Sequence, residues 1–253
     1  MTQTKTDVAD GLVDTGMLAA WVGRLSRIDR VVDDRERIEQ IRALEELKSA
    51  AAAAQAVATA DLVTSQQARQ RLAGTPRQDL GRGVAAQVAL ARRDSPYQGS
   101  RHVGLAQALV LEMPATLAAL RAGTISEWRA TVVVRETACL TREDRRAADD
   151  ELAGRLATMG DRQTEAAARA VAYRLDPSAF TARSQGAQRD RRVTLRPAPD
   201  TMSRLGGFLP VAQGVAAYAA LLRAADALTA AGDPRSRGQI MADTLVELSL
   251  IHI

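Results

Sequence analysis

Residues 95–126, SPYQGSRHVGLAQALVLEMPATLAALRAGTIS, carry the signals that decide the fold. Ser95 before Pro96 is typical of a helix start, because serine accepts a free backbone N–H and proline fits the first turn. Pro114 interrupts the apolar run that follows and restarts a short helix, and Gly123 is a typical helix stop. The stretch therefore predicts two consecutive helices with a sharp break between them.

Comparable signals predict helices along most of the remaining chain. Aromatic residues make up only 3% of the sequence, so alanine, leucine and valine must fill the core, and such cores favour closely packed helices. We therefore predict a mainly α fold. Amphipathic spacing and capping residues place the other helices at residues 17–31, 34–73, 126–140, 142–158, 162–175, 178–189 and 210–231, with a last helix after Asp233.

The predicted helix at 34–73 has a long apolar repeat. Its apolar positions recur every three or four residues, which fits either a coiled-coil seam or a face packed on the rest of the domain. Alanine dominates the second half, which favours the packed face, and a homo-oligomer through this helix stays open as the alternative. The repeat consists of Ile38, Ile41, Leu44, Leu47, Ala51, Ala54, Ala58 and Leu62.

The period changes to two in QRDRRVTLRP, residues 188–197, which predicts one short β-hairpin at about 192–205 with its turn at 197–200. Residues 181–210 hold six arginines against two aspartates, which accounts for the whole net charge of +4. A cationic field confined to one segment favours an anionic partner. The alternative is a hairpin whose arginines are merely solvated.

Four arginines are the candidate nucleic-acid-binding residues. Arg192 and Arg196 are the first choice, because strand alternation places them opposite the apolar Val193 and Leu195 and leaves their guanidinium groups free. Arg189 and Arg191 are further candidates, with acidic neighbours or helix C-terminal carbonyls as their alternative partners.

The sequence contains no pattern typical of a catalytic, metal or cofactor site. The two histidines, His102 and His252, are far apart, and neither a metal-ligand spacing nor a phosphate-binding glycine loop occurs. We predict no catalytic residue, metal ligand or cofactor in this chain. The single cysteine, Cys139, and the lack of a signal-peptide pattern favour a cytoplasmic protein, and the uncharged run 205–222 is interrupted by glycine and proline, which indicates a core helix rather than a membrane span.

Three blocks of the sequence resemble a bacterial family, domain of unknown function 222, also called the 13E12-repeat family. They are the stretch 95–126, the arginine-dense block 176–210 and the ending 233–249, DPRSRGQIMADTLVELS. The resemblance covers about 60–249. It implies an actinobacterial helical domain N-terminal to a His-Asn-His (HNH) endonuclease module, where a histidine and a divalent metal would cleave DNA. The family tends to have Asp-Gly in the hairpin turn, so Asp200-Thr201 suggests an altered turn here.

These observations give one expected organisation. Residues 1–33 form an N-terminal helical segment, residues 34–249 the helical domain, and residues 250–253, LIHI, a tail of non-native character. An HNH module, with its metal, is expected beyond residue 253. The expected function is that of an accessory, DNA-contacting domain of an HNH-type endonuclease-like protein, and the alternative is a scaffold that oligomerises without binding nucleic acid.

Overall fold

The computed structural model describes residues 12–250, and within them the protein is mainly helical with one two-stranded antiparallel sheet. The predicted fold class is confirmed. The helices are α1 (Thr15–Leu25), α2 (Asp34–Leu72), α3 (Val84–Arg92), α4 (Pro96–Leu111), α5 (Pro114–Arg121), α6 (Glu127–Glu136), α7 (Arg142–Ala153), α8 (Asp161–Leu175), α9 (Pro177–Arg189), α10 (Val211–Ala230) and α11 (Arg237–Leu250). The strands are β1 (Arg192–Pro197) and β2 (Ser203–Phe208).

The stretch 95–126 folds as its capping residues predict. The Ser95 hydroxyl accepts the backbone N–H of Gln98 at the start of α4. α5 begins at Pro114 and is followed by Gly123, whose φ of 73° is a conformation that glycine adopts without strain. Most of the predicted bounds differ from the observed ones by only a few residues. Of the predicted tail 250–253, Leu250 is the last residue of α11, and residues 251–253 lie outside the described residues.

The described chain falls into two compact units. Residues 12–131 and 153–159 form the first, and residues 132–152 and 160–250 form the second.

Small side chains build the core of the first unit. The buried face of α2 is mostly alanine (Ala52, Ala53, Ala56 and Ala60), and Val63 at its end clusters with Val84 and Val88 of α3. α3 and α4 approach very closely at Gly99, where an added Cβ would collide with the Ala85 carbonyl oxygen. The expectation of closely packed, alanine-rich helices therefore holds in this unit.

The predicted repeat of α2 does not mark its buried face. Ala51, Ala54 and Ala58 are exposed, and so are Ile38 and Ile41, at 65% and 64%. The assignment of the repeat to a packed face was wrong, because five consecutive alanines at 50–54 fit any helical phase and the register is set by the neighbouring helices. Oligomerisation through α2 stays a prediction.

The second unit is buried in its first half and exposed in its second. α7 and α8 bury Ala148, Leu152, Ala168, Val171 and Ala172. Between residues 176 and 250, among the side chains that the structure describes, only Ala225 and Ile240 are buried, on α10 and α11, which pack against each other. Both faces of the β-hairpin are open to solvent.

None of the helices between residues 12 and 250 is by itself long and apolar enough to cross a membrane. α4 and α5 meet those criteria of length and composition together, as a pair bent by 105°.

Candidate nucleic-acid interface

The hairpin register places three arginines on one face. β1 and β2 pair antiparallel, with Arg192 opposite Phe208, Leu195 opposite Leu205 and Arg196 opposite Arg204. Because side chains alternate along a strand, Arg192, Arg196 and Arg204 form an arginine face. The other side is an apolar face of Val193, Leu195 and Leu205, which are 69%, 69% and 52% exposed.

The turn between the strands is strained. Met202 N donates to the Pro199 carbonyl at 3.2 Å, and the two central residues, Asp200 and Thr201, both have φ of 59°. Two positive φ angles are typical of a type I′ turn, whose twist matches that of a hairpin. A β-branched residue rarely adopts this conformation, so Thr201 keeps the turn geometry at a cost in backbone strain.

The turn also corrects the predicted position of the second strand. It is centred on Asp200-Thr201, whereas the prediction placed it at 197–200. Pro197 still belongs to β1, opposite Ser203. The returning strand therefore runs over Ser203–Phe208 rather than 201–205.

The four candidate arginines have different surroundings. The Arg192 guanidinium lies over the Phe208 ring, 5.1 Å from its centroid, and donates to the Asp190 carbonyl at 3.0 Å. The expectation that this guanidinium is free was therefore wrong. Arg191 donates to the Gln188 carbonyl at 3.0 Å, one of the alternative partners considered for it. The side chains of Arg189 and Arg196 form no hydrogen bond or ion pair with any residue in the described range.

Arg204 is a residue of this surface that sequence reasoning missed. The structure brings it directly opposite Arg196, whereas Arg189 lies at the end of α9 and Arg191 in the link to β1. The signal that identifies it is the length of the loop, because a loop of residues 199–201, closed by the bond from Ala198 N to the Met202 carbonyl at 2.9 Å, pairs residue 196 with residue 204. Placing the turn earlier concealed this pairing.

A buried carboxylate holds the helix that leads into the hairpin. The Glu136 side chain is only 5% exposed and accepts from Arg135 Nε at 2.9 Å and from Arg169 Nε at 3.3 Å. Arg183 of α9 donates to the Glu136 backbone carbonyl at 3.0 Å. This cluster ties α6, α8 and α9 together and fixes the helix that carries Arg189.

The start of α9 is capped as well. The Asp176 carboxylate accepts the backbone N–H of Ala179 at 2.8 Å and the Ser178 hydroxyl at 2.7 Å. The Ala179 bond is the main cause of a lowered pKa for Asp176, because hydrogen bonds to the charged form favour it.

His102 lies at a second surface of chemical interest, in the first compact unit. Its Nε2 lies 2.9 Å from the Asp94 carboxylate, beside a cavity of about 240 Å³ between α4 and the start of α6. No described serine or cysteine hydrogen-bonds to this ring, and no three His, Cys, Asp or Glu residues in the described range are grouped to hold a metal ion. The Asp94 carboxylate therefore orients the imidazole beside this cavity.

Comparison with known proteins identifies the family of the chain. No curated protein and no solved structure is significantly similar to the chain. The family model described as Domain of unknown function (DUF222) matches residues 41–252. This range contains all three blocks that carry the resemblance and most of the chain, and the chain therefore belongs to the DUF222 family.

Proposed function

We propose that this chain is an accessory, DNA-contacting domain of a cytoplasmic, actinobacterial HNH-type endonuclease-like protein. The observation that carries the proposal is the arginine face of the hairpin. Arg192, Arg196 and Arg204 lie together on an exposed strand pair, in the segment that holds the net positive charge.

The chemistry of this face favours phosphate contacts. Guanidinium groups bind phosphate oxygens through paired N–H donors, and such contacts position a protein on DNA without reading its sequence. Binding is therefore weak and tolerant of sequence. Cleavage belongs to the expected HNH module, where a histidine activates water and a divalent metal stabilises the scissile phosphate.

The proposal is tested by salt-dependent binding to duplex DNA. The variant Arg192→Gln with Arg196→Gln removes two charges and leaves the apolar face intact. Each lost phosphate contact flattens the slope of log affinity against log salt by about 0.9, so the double variant flattens it by about 1.8. Fluorescence anisotropy over a salt series measures the slope.

A matched control separates this surface from overall charge. Arg35→Gln with Arg69→Gln removes two exposed arginines of α2, and we expect it to leave the slope unchanged. An equal effect of both double variants, or no effect of either in folded protein, would contradict hairpin-mediated DNA binding.

The alternative function is a scaffold, and one observation favours it. Ile38 and Ile41 are exposed in the first part of α2. Exposed large apolar side chains that lie together are typical of a surface that binds a partner. Sedimentation equilibrium tests it: Ile38→Asn with Ile41→Asn dissociates an oligomer built on α2. A wild-type chain that is monomeric and binds DNA in a salt-dependent manner would exclude the scaffold.

A further inference from the structure

Two arginines face each other across the hairpin, and no residue between 12 and 250 supplies a counter-charge to either of them. Arg196 and Arg204 are direct cross-strand partners, and like charges in that position destabilise a strand pair. The only acidic residues of the segment 181–210 are Asp190 and Asp200. Neither forms an ion pair with Arg196 or Arg204 among the described residues.

Arg42 and Arg235 are exposed arginines that do have carboxylate partners. Arg42 lies 2.7 Å from Glu46 and also pairs with Glu39. Arg235 pairs with Asp233 at 2.7 Å and with Asp243 at 2.6 Å. Arg196 and Arg204 instead have each other as cross-strand neighbours.

The strained turn holds the two arginines opposite each other. Residues in unfavourable backbone conformations cluster at functional sites, where strain keeps groups in position. A one-residue slip of the strands would move Arg204 to the other face. The loop 199–201, with Asp200 and Thr201 at positive φ and the Ala198 N–H bonded to the Met202 carbonyl, sets the observed register.

We propose that Arg196 and Arg204 jointly bind one phosphate group, which supplies the counter-charge that no described residue provides for this pair. The inference rests on the proposed function and deepens it by assigning Arg204 as the second ligand and a backbone phosphodiester as the bound group. Two guanidinium forks surround the oxygens of one phosphate through parallel hydrogen bonds.

The neighbouring residue pair on this face, Thr194 and Gly206, leaves room for the phosphate and does not compete for it. Gly206 has no side chain, and the Thr194 hydroxyl beside it lies 3.3 Å from the Gly206 carbonyl, to which it donates. Arg192 belongs to the next pair on this face and lies over its partner Phe208. The ligand position is therefore centred on the two arginines nearest the turn.

The proposal has a signature that a merely solvated pair does not have. Arg204→Glu creates a cross-strand ion pair with Arg196, which raises the hydrogen-exchange protection of the hairpin amides. The same substitution repels phosphate and lowers DNA affinity about tenfold, the effect of losing one charged hydrogen-bonded contact. Stability and binding thus change in opposite directions.

The test compares Arg196→Gln, Arg204→Gln and the double variant in binding to duplex DNA over a salt series. Because one phosphate is shared, we expect each of the three to flatten the log–log slope by about 0.9. Arg223→Gln on α10 is the control and leaves the slope unchanged. A double variant that loses about 1.8 would show two separate phosphates and would overturn the shared site.

Further outcomes distinguish this inference from the proposed function. If Arg192→Gln with Arg196→Gln weakens DNA binding but Arg204→Gln does not, DNA contact stands and the joint site is overturned. If the wild-type chain binds no DNA, the proposed function fails. Titration with inorganic phosphate, followed by NMR at residues 196 and 204, then tests whether the two arginines bind phosphate at all. Saturable shifts that Arg204→Gln abolishes would retain a phosphate site, and their absence would remove it.

Discussion

Residues 49–172 and residues 176–250 are both rich in alanine and leucine, but they use these side chains differently. All the buried residues of the described chain except Ala225 and Ile240 lie in the first region. There, small residues let helices approach closely enough to exclude water. In the second region the same residue types lie on helices that have few neighbours, so apolar content alone does not make a core.

The difference also separates two roles. Burial in the first region offsets the entropy of ordering the chain. The second region has little burial of its own and carries the arginine face, so it offers surface rather than core. Substitutions should therefore affect the free energy of unfolding in the first region and interactions in the second.

The strongest test of this comparison removes one leucine from each region. Leu109 is fully buried, and Leu109→Ala should lower the free energy of unfolding by about 3 kcal/mol through lost burial and the cavity left behind. Leu195→Ala, on the exposed apolar face, should change it by less than about 0.5 kcal/mol. Urea denaturation measures both, and equal losses would contradict the comparison.

A glycine pair on one helix tests the close packing of α3 and α4. A Cβ at Gly99 would lie 2.7 Å from the Ala89 Cβ, besides its collision with Ala85, so Gly99→Ala should destabilise the protein by about 2 kcal/mol through overpacking. Gly104 of the same helix has open space around it. Gly104→Ala should stabilise the protein by about 0.5 kcal/mol. Thermal melts measure both variants, and melting temperatures that change in the same direction would contradict the packing argument.

The Glu136 cluster links buried and exposed parts of the second unit. Glu136→Gln removes the negative charge of a carboxylate that accepts hydrogen bonds from two arginines. The substitution should lower the free energy of unfolding by about 1.5 kcal/mol. Glu165 pairs with Arg169 at 2.6 Å but is 38% exposed, and Glu165→Gln should cost less than about 1 kcal/mol. Denaturation midpoints measure both; the reverse order would remove Glu136 from its positioning role.

The hairpin turn gives a substitution that should stabilise the exposed region. Thr201→Gly relieves a positive φ that a β-branched residue tolerates poorly, and we expect a gain of about 1 kcal/mol in hairpin stability. Hydrogen exchange of the amides of β1 and β2 measures it. Faster exchange in the glycine variant would show that Thr201 is not strained.

Acid should loosen the loop between α10 and α11. Hydrogen bonds from Arg235 lower the pKa of Asp233 from 3.8 to about 2. The folded loop therefore binds fewer protons than the unfolded chain in this interval, so its stabilisation is complete above about pH 4 and is lost as pH falls towards 2. NMR shifts of residues 233–235 follow the change, and Asp233→Asn should remove it.

Local signals in the sequence predicted most of the fold, since capping residues and proline positions act within a few residues. They predicted α4, α5 and the existence of the hairpin. The buried face of α2 could not be predicted, because the alanines at 50–54 are interchangeable in a helical pattern. Glu136 was missed because only the fold brings its partners on α8 and α9 near. Arg204 was missed because the turn was placed too early in the sequence.

The arginine face has a consequence for chemical biology. Residues 176–210 contain no lysine, and the whole chain has only Lys5 and Lys48. Amine-directed crosslinkers and lysine acetylation therefore cannot reach the charge on the hairpin. Arginine methylation could reach it, and this modification would preserve the charge while blocking paired hydrogen bonds to phosphate. Arginine-selective reagents such as phenylglyoxal would label the hairpin, and DNA occupancy could be followed as protection from them.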